Sequence, residues 1–253
     1  MPATHNDVHV ALLGGAGLPP WVWDGVRDHL AGVKCGVVVP LRRPDASAAD
    51  VADDLVAQLP PARDVVLVAH SVGGVVAAQV LARHPGRVAA VLGVAAVVPR
   101  PGRSFVAAQP WPARAVLGPV LRRAGTLPPE RARRAATRGV QVALADRLVA
   151  DAQPEPVRLF LDPVPSYPAP AASAYLATGR DREVTARQQA RSARAMAAAW
   201  VETLPTGHLP MLEDPVAVAG AVVRLVADVT GRRGRVDPTP PPSRPAARPA
   251  RAR

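Results

Sequence analysis

The sequence predicts an α/β protein with a mostly parallel central sheet, helices on both faces, and an inserted, mainly helical segment. Three features predict it. Short apolar runs recur at residues 8–13, 36–40, 65–70 and 88–94, with further strand-like pieces at 174–178 and 200–204; uninterrupted β-branched runs belong to strands buried on both faces. Segments with apolar residues at three-to-four spacing lie between most of these runs, as the helical crossovers of a parallel sheet require. Small residues crowd around one serine where the run 65–70 ends, in Ala69-His70-Ser71-Val72-Gly73-Gly74, which marks a tight strand-to-helix turn.

In chain order, the first strand ends in Gly14-Gly15-Ala16-Gly17 before a helix predicted over residues 21–30, with Trp21 and Trp23 packing beside that loop. The loop fails as a dinucleotide fingerprint because Pro20 stands where a helix should open. Its glycines suit another task, presenting backbone N–H groups to a reacting oxygen with no side chain in the way. A strand at 36–40 and a helix over 45–59 follow, with Asp50, Asp53 and Asp54 on the helix's polar face as surface charges. The serine turn opens a helix through Leu81 that stops at His84-Pro85.

Periodicity fades across residues 99–170, leaving modest helical patterns at 113–123, 129–138 and 140–150. An insertion between sheet strands is expected to lie over the strand ends as a cap, with Phe105, Trp111, Phe160 and Tyr167 available for a pocket wall. A strand at 174–178, a helix over 185–199, a strand at 200–204 and a helix over 215–229 complete the pattern. The expected domains are therefore a core of residues 1–98 and 171–230, a cap of 99–170, and a disordered basic tail of 231–253.

Composition excludes several classes. The net charge of +11 over 253 residues raises nucleic-acid binding, but +6 of it sits in residues 231–253, aromatic residues are only 3%, and Lys34 is the sole lysine. Basic residues without interleaved aromatics are a poor single-strand surface, so nucleic acid is not expected as the main partner. Cys35 is the single cysteine, which rules out an intramolecular disulfide and a cysteine-based metal site. No metal or cofactor is expected. No run is long enough for a membrane span and no signal-peptide pattern opens the chain, so a cytoplasmic protein is expected.

Ser71 alone could be a helix cap. A serine hydroxyl becomes a nucleophile only with an imidazole to take its proton and a carboxylate to orient that imidazole, and in a serine elbow the acid and then the histidine follow in chain order. Five histidines are badly placed: His5 and His9 lie at or before the first strand, His29 and His84 end helices, and His70 is inside the turn. His208 remains, in a glycine-containing loop just past a strand. Asp181, two residues beyond Gly179 at a strand end, is the favoured acid over its neighbour Glu183. Asp146, Asp151 and Asp162 have no strand end to hold them.

These residues resemble the α/β-hydrolase superfamily over roughly residues 8–230. The turn at 69–74 is similar to its Gly-His-Ser-x-Gly-Gly elbow, and Thr206-Gly207-His208-Leu209-Pro210-Met211-Leu212-Glu213-Asp214-Pro215 to its histidine loop. Leu12-Leu13-Gly14-Gly15-Ala16-Gly17, followed by Trp21-Val22-Trp23, resembles the oxyanion loop of the methylesterase and hydroxynitrile-lyase branch. The resemblance implies the α/β-hydrolase fold with Ser71 as nucleophile, Asp181 as acid and His208 as base. It also implies an oxyanion hole made by the N–H groups of Gly15 and Val72. Ala16, Leu18, Trp111, Phe160 and Leu209 are the expected substrate-pocket residues. Two positions depart from the pattern: Leu13 replaces a histidine before the oxyanion glycines, and Ala69 replaces the first elbow glycine.

The implied activity is serine hydrolysis of a small-molecule carboxylic ester, thioester or lactone through an acyl-enzyme. Two alternatives stay open: a lyase using the same residues as acid and base, and a non-hydrolytic protein of the same fold that binds a small ligand. The hydroxynitrile lyases of the related branch carry a lysine after the catalytic histidine, where this chain has Leu209. A serine at the elbow excludes the epoxide and haloalkane hydrolases, which need a carboxylate there.

Overall fold

The computed structural model describes residues 8–61, 64–125 and 137–236. Six strands form one parallel sheet: β1 (Val8–Leu13), β2 (Lys34–Val38), β3 (Asp64–His70), β4 (Ala90–Val94), β5 (Ala172–Thr178) and β6 (Trp200–Leu204). Their spatial order is β2-β1-β3-β4-β5-β6, every neighbouring pair being parallel. The register pairs Leu13 with both Val38 and Ala69, His70 with Val94, Val94 with Leu176, and Thr178 with Leu204. All six strands therefore end along one edge.

Strand order reverses between β1 and β3. The chain leaves β1 toward β2 on one side and returns to build β3 to β6 on the other, so from the ends of β1 and β3 it proceeds in opposite directions along the sheet. A crevice at such a switch point is where open α/β sheets bind ligands.

Period-two alternation splits the strand side chains between two cores. Ala11, Leu13, Val65, Leu67, Ala69 and Val91 face one cluster, with helices α2 (Ala48–Gln58) and α3 (Gly73–Arg83) over it. Val10, Leu12, Val66, Val68, Leu92 and Leu176 face the other, covered by the long C-terminal helix. Helix α2 begins with Ser47 as N-cap in a capping box closed by Asp50. Asp50, expected as a plain surface charge, thus anchors the helix start.

Between β3 and β5 lie α3 and, within residues 99–170, α4 (Phe105–Ala108), α5 (Ala113–Ala124), α6 (Val142–Ala150) and α7 (Arg158–Leu161). Helices α5 and α6 match the patterns at 113–123 and 140–150, whereas the helix expected at 129–138 falls almost wholly outside the described residues. Helix α8 (Ala186–Ala195) follows β5, capped by the Thr185 side chain, and α9 (Pro210–Glu213) and α10 (Pro215–Val236) close the chain.

Two expectations on helices need correction. Residues 21–30 form a 3₁₀ turn, Pro20–Trp23, and a short helix α1 (Asp24–Asp28), because Pro19 and Pro20 constrain the entry and remove donors. Helix α10 does not stop at Val229 but runs to Val236, into the stretch expected to be disordered. Arg232 is a good helix former and suits the negative end of the helix dipole, which offsets Gly231. The remainder of the expected tail, residues 237–253, lies outside the described residues. Among the described residues no helix is long and apolar enough to cross a membrane.

Candidate active site

Ser71 follows β3 directly and takes φ +53°, a left-handed conformation unusual for a residue with a side chain. Its neighbours hold it there. The Ser71 N–H donates to the Val94 carbonyl at 3.2 Å, and the Ser71 carbonyl accepts from Gly74 at 3.1 Å and from Val97 at 2.9 Å. A Cβ on Gly74 would sit 2.6 Å from the Val97 oxygen, so the turn closes only with glycine there. The departure at Ala69 fits within β3, where Ala69 is fully buried and pairs with Leu13 and Gly93.

The loop after β6 brings His208 to the serine. His208 Nε2 lies 3.1 Å from Ser71 Oγ, and His208 Nδ1 lies 2.8 Å from Asp181 Oδ2. An ionised carboxylate only accepts, so Nδ1 carries the proton and the Nε2 lone pair faces the hydroxyl. The Asp181 side chain is fully buried. Its Oδ1 accepts from the N–H groups of Glu183 at 2.8 Å and Val184 at 3.0 Å, and its Oδ2 also accepts from Thr178 Oγ1 at 2.9 Å. Burial alone would raise the Asp181 carboxyl, but the His208 hydrogen bond, the His208 charge and the two N–H donors together hold it below the usual carboxylate range. Glu183, the rejected alternative, supports the acid through its backbone.

His70, set aside as a base because it lies in the turn, has a structural task there. It is 1% exposed and donates Nε2–H to the His208 carbonyl at 2.8 Å, tying β3 to the histidine loop. Burial first, and the nearby His208 second, push its pKa down to about 3. A neutral ring in the Nε2–H form follows. On the far side of the same loop the Glu213 carboxylate accepts the Gly207 N–H at 2.9 and 3.0 Å.

The glycine loop after β1 lies against the elbow. A Cβ on Gly15 would stand 2.8 Å from His70 Nδ1 and 2.9 Å from Ser71 Cβ, so only glycine lets this backbone reach the serine. Trp23 is fully buried beside the loop, with its indole nitrogen 3.8 Å from where a Cβ of Gly14 would lie. Val72 is the N-cap of α3, and N–H groups in the first turn of a helix have no intrahelical partner. Gly15 and Val72 thus lie on either side of Ser71, at the positive end of the α3 dipole.

With this geometry in view, comparison with known proteins is informative. Residues 9–221 match the model of the alpha/beta hydrolase family. The chain belongs to that family. Similar solved structures include a polyneuridine aldehyde esterase variant (18% identity, TM-score 0.69, covering 86% of this chain and 98% of that one). Another is an extracellular alpha/beta-hydrolase from a Paenibacillus species, described as sharing structural and functional homology with tobacco salicylic acid binding protein 2 (17%, 0.71, 86% and 98%). A third is a methylesterase from Arabidopsis (19%, 0.68, 87% and 99%). These likenesses are of fold. No curated protein matches the chain.

The pocket residues expected for this α/β-hydrolase are dispersed. Ala16 is half-buried beside the first core cluster, while Leu18 and Leu209 are buried in the cluster on the opposite sheet face. Phe160 is 2% exposed and stacks edge-on with Phe105, ring centres 5.3 Å apart. Trp111 must be corrected outright. It is 72% exposed, at the solvent side of the α5 entry, because Leu121 and Gly118, not Trp111, fill the buried face of that helix. Tyr167 is half-buried and donates to the Pro99 carbonyl. Among the described residues no group of three His, Cys, Asp or Glu side chains could hold a metal ion.

Proposed function

We propose that the protein is a serine hydrolase that cleaves a small-molecule carboxylic ester through an acyl-enzyme on Ser71. The observation that carries this is the aligned chain Ser71 Oγ, His208 Nε2, His208 Nδ1 and Asp181 Oδ2, with contacts of 3.1 and 2.8 Å, at a backbone turn with φ +53°. Backbone strain held by three hydrogen bonds has a function when it exposes a nucleophile.

In this reading Ser71 Oγ attacks the ester carbonyl carbon while its proton passes to His208 Nε2. Asp181 stays ionised, fixes the imidazole and stabilises its charged form. The N–H groups of Gly15 and Val72 receive the negative charge that builds on the carbonyl oxygen, each donor being worth about 3 kcal/mol in such sites. His208 then returns the proton to the departing alcohol oxygen, leaving the acyl group on Ser71. Water attacks the acyl carbon with His208 again as base, the acid is released, and Ser71 regains its proton.

In the same reading the described parts of the insertion, residues 99–125 and 137–170, cap the strand ends and bound the acyl site. The structural relatives described as an esterase, a methylesterase and a pyrethroid hydrolase support esters as the substrate class. Hydrolysis of p-nitrophenyl esters from acetate to octanoate tests the proposal. Turnover by the wild type and its loss in folded Ser71→Ala support it; a folded wild type inert across esters, thioesters and lactones overturns it.

A further inference from the structure

The segment between β4 and β5 grips the glycine loop. Glu155 is 3% exposed, and its Oε1 accepts the Gly17 N–H at 2.8 Å from 138 residues away in sequence. The same oxygen accepts from Arg42 Nε at 3.1 Å, and Arg42 sends a second N–H to the Leu18 carbonyl at 2.9 Å. The other side of Gly17 is held too, its carbonyl accepting from the Gln153 N–H at 3.1 Å. Farther out, Asp151 accepts from Trp21 Nε1 at 2.8 Å, and the Arg147 guanidinium lies 4.2 Å over the Trp21 ring.

Gly17 has φ +66° and sits in a turn closed by the Leu18 N–H on the Gly15 carbonyl at 3.2 Å. Both polar groups of the Gly17 backbone and the carbonyl of Leu18 are therefore fixed by residues outside the loop. The turn bond fixes the Gly15 carbonyl, and through it the backbone of the residue whose N–H stands on the other side of its Cα. A neutral acceptor would satisfy one N–H group. A buried carboxylate–guanidinium pair costs desolvation and is often no more stabilising than apolar replacements, while it does fix geometry.

We infer that Glu155, braced by Arg42, is a positioning residue for the oxyanion hole: it holds the Gly15–Leu18 turn so that the Gly15 N–H points at the carbonyl of a substrate on Ser71. The inference rests on the hydrolase reading for its chemical consequence, but the tether itself can be measured without catalysis. Loss of the tether weakens a donor used mainly in the transition state, so kcat falls and KM moves little.

Two variants separate positioning from folding. Arg42→Leu/Glu155→Leu replaces the ion pair by apolar side chains, so that neither charge is left buried and unpaired, and removes the acceptor for Gly17. Glu155→Gln keeps an amide oxygen at the same reach. The double variant is expected to lose about 10- to 100-fold in kcat on p-nitrophenyl butyrate with KM within about threefold, the size of effect that misplacing a reacting group produces. Its preference for the ester over the matching thionoester also falls, because sulfur makes little use of oxyanion donors. Glu155→Gln recovers most of both.

Hydrogen exchange supplies the independent readout. In the double variant the peptide containing residues 14–18 should exchange faster while those of α3 and β4 do not. Exchange unchanged at 14–18, or a kcat and ester/thionoester ratio equal to wild type in the folded double variant, overturns the inference. If the wild type hydrolyses nothing, the hydrolase reading fails while the exchange result still decides the tether.

Discussion

The loops leaving β3, β5 and β6 and the inserted segment, described over residues 99–125 and 137–170, acquire their shape in different ways. Ser71, Asp181 and His208 are each fixed within a few residues of a strand end, by backbone hydrogen bonds such as Ser71 to Val94 and Glu183 to Asp181. The inserted segment has an exposed Trp111 and exposed Val116 and Val120 beside its buried Leu121, Leu148 and Phe160, and several of its polar anchors are side chains reaching distant loops. Glu155 on Gly17 and Asp162 on the α2 N-terminal Ala48 are of this kind. The sheet edge sets reacting geometry by local backbone rules, and the insertion tunes that geometry through a handful of long-range polar ties.

If this contrast is right, changes at the sheet edge cost far more than changes in the insertion. Ser71→Ala should lower ester turnover by about 10⁶-fold with no loss of thermal stability, as removal of an attacking serine does elsewhere. Residual activity within tenfold of wild type would place the nucleophile elsewhere. Asp181→Asn is expected to cost about 10⁴-fold in kcat, because an amide can stabilise the wrong imidazole tautomer; a rate within tenfold of wild type would remove Asp181 from the relay.

Gly15→Ala sharpens the comparison, since a methyl group placed at 2.8–2.9 Å from His70 and Ser71 must push the loop away. About 100-fold in kcat and 1–3 kcal/mol of stability should be lost, read by kinetics and urea unfolding.

His70→Gln tests the tie between β3 and the histidine loop through pH. The folded chain refuses a proton at His70 until about pH 3, whereas an ordinary histidine takes one at 6.5. The unfolded state therefore binds more protons in between. His70's contribution to stability is full above about pH 6.5 and drains as pH falls toward 3. Asp181, held below the ordinary 3.8, adds loss in the same direction at the acid end. Urea midpoints measured from pH 7 to 4 should show a shallower acid decline in His70→Gln than in wild type. Parallel declines would mean that His70 is not held neutral. The smallest effect is expected at Trp111→Ala, within about 0.5 kcal/mol of stability, as for other exposed sites; a destabilisation above 2 kcal/mol would show that Trp111 is covered.

The same contrast explains what could be read from the residues alone. Val65 to Val68 signal β3 because a strand buried on both faces must be apolar throughout, and residues 69–74 mark the turn because each small side chain answers a local steric demand. Strand ends were less legible: β2 begins at Lys34 and not at Gly36, and β5 at Ala172 and not at Ala174, since ladder pairing extends past the hydrophobic run. Asp50 carried a readable signal, three residues after Ser47 in a capping pattern. Glu155 carried none. It stands between Pro154 and Pro156 in an aperiodic stretch, and its role depends on Gly17 and Arg42, which only the folded chain brings near. His70 was similarly silent, because the carbonyl it holds is defined by backbone position and not by residue type.

The central claim is that Ser71 becomes acylated with His208 and Asp181 in support. Incubating wild type, Ser71→Ala and His208→Ala with a fluorophosphonate probe, followed by mass spectrometry of the peptides, tests it most directly. A single stoichiometric adduct is expected on Ser71 in wild type, none in Ser71→Ala, and labelling slowed by orders of magnitude in His208→Ala. A folded wild type that stays unlabelled, or carries its adduct on another residue, contradicts it.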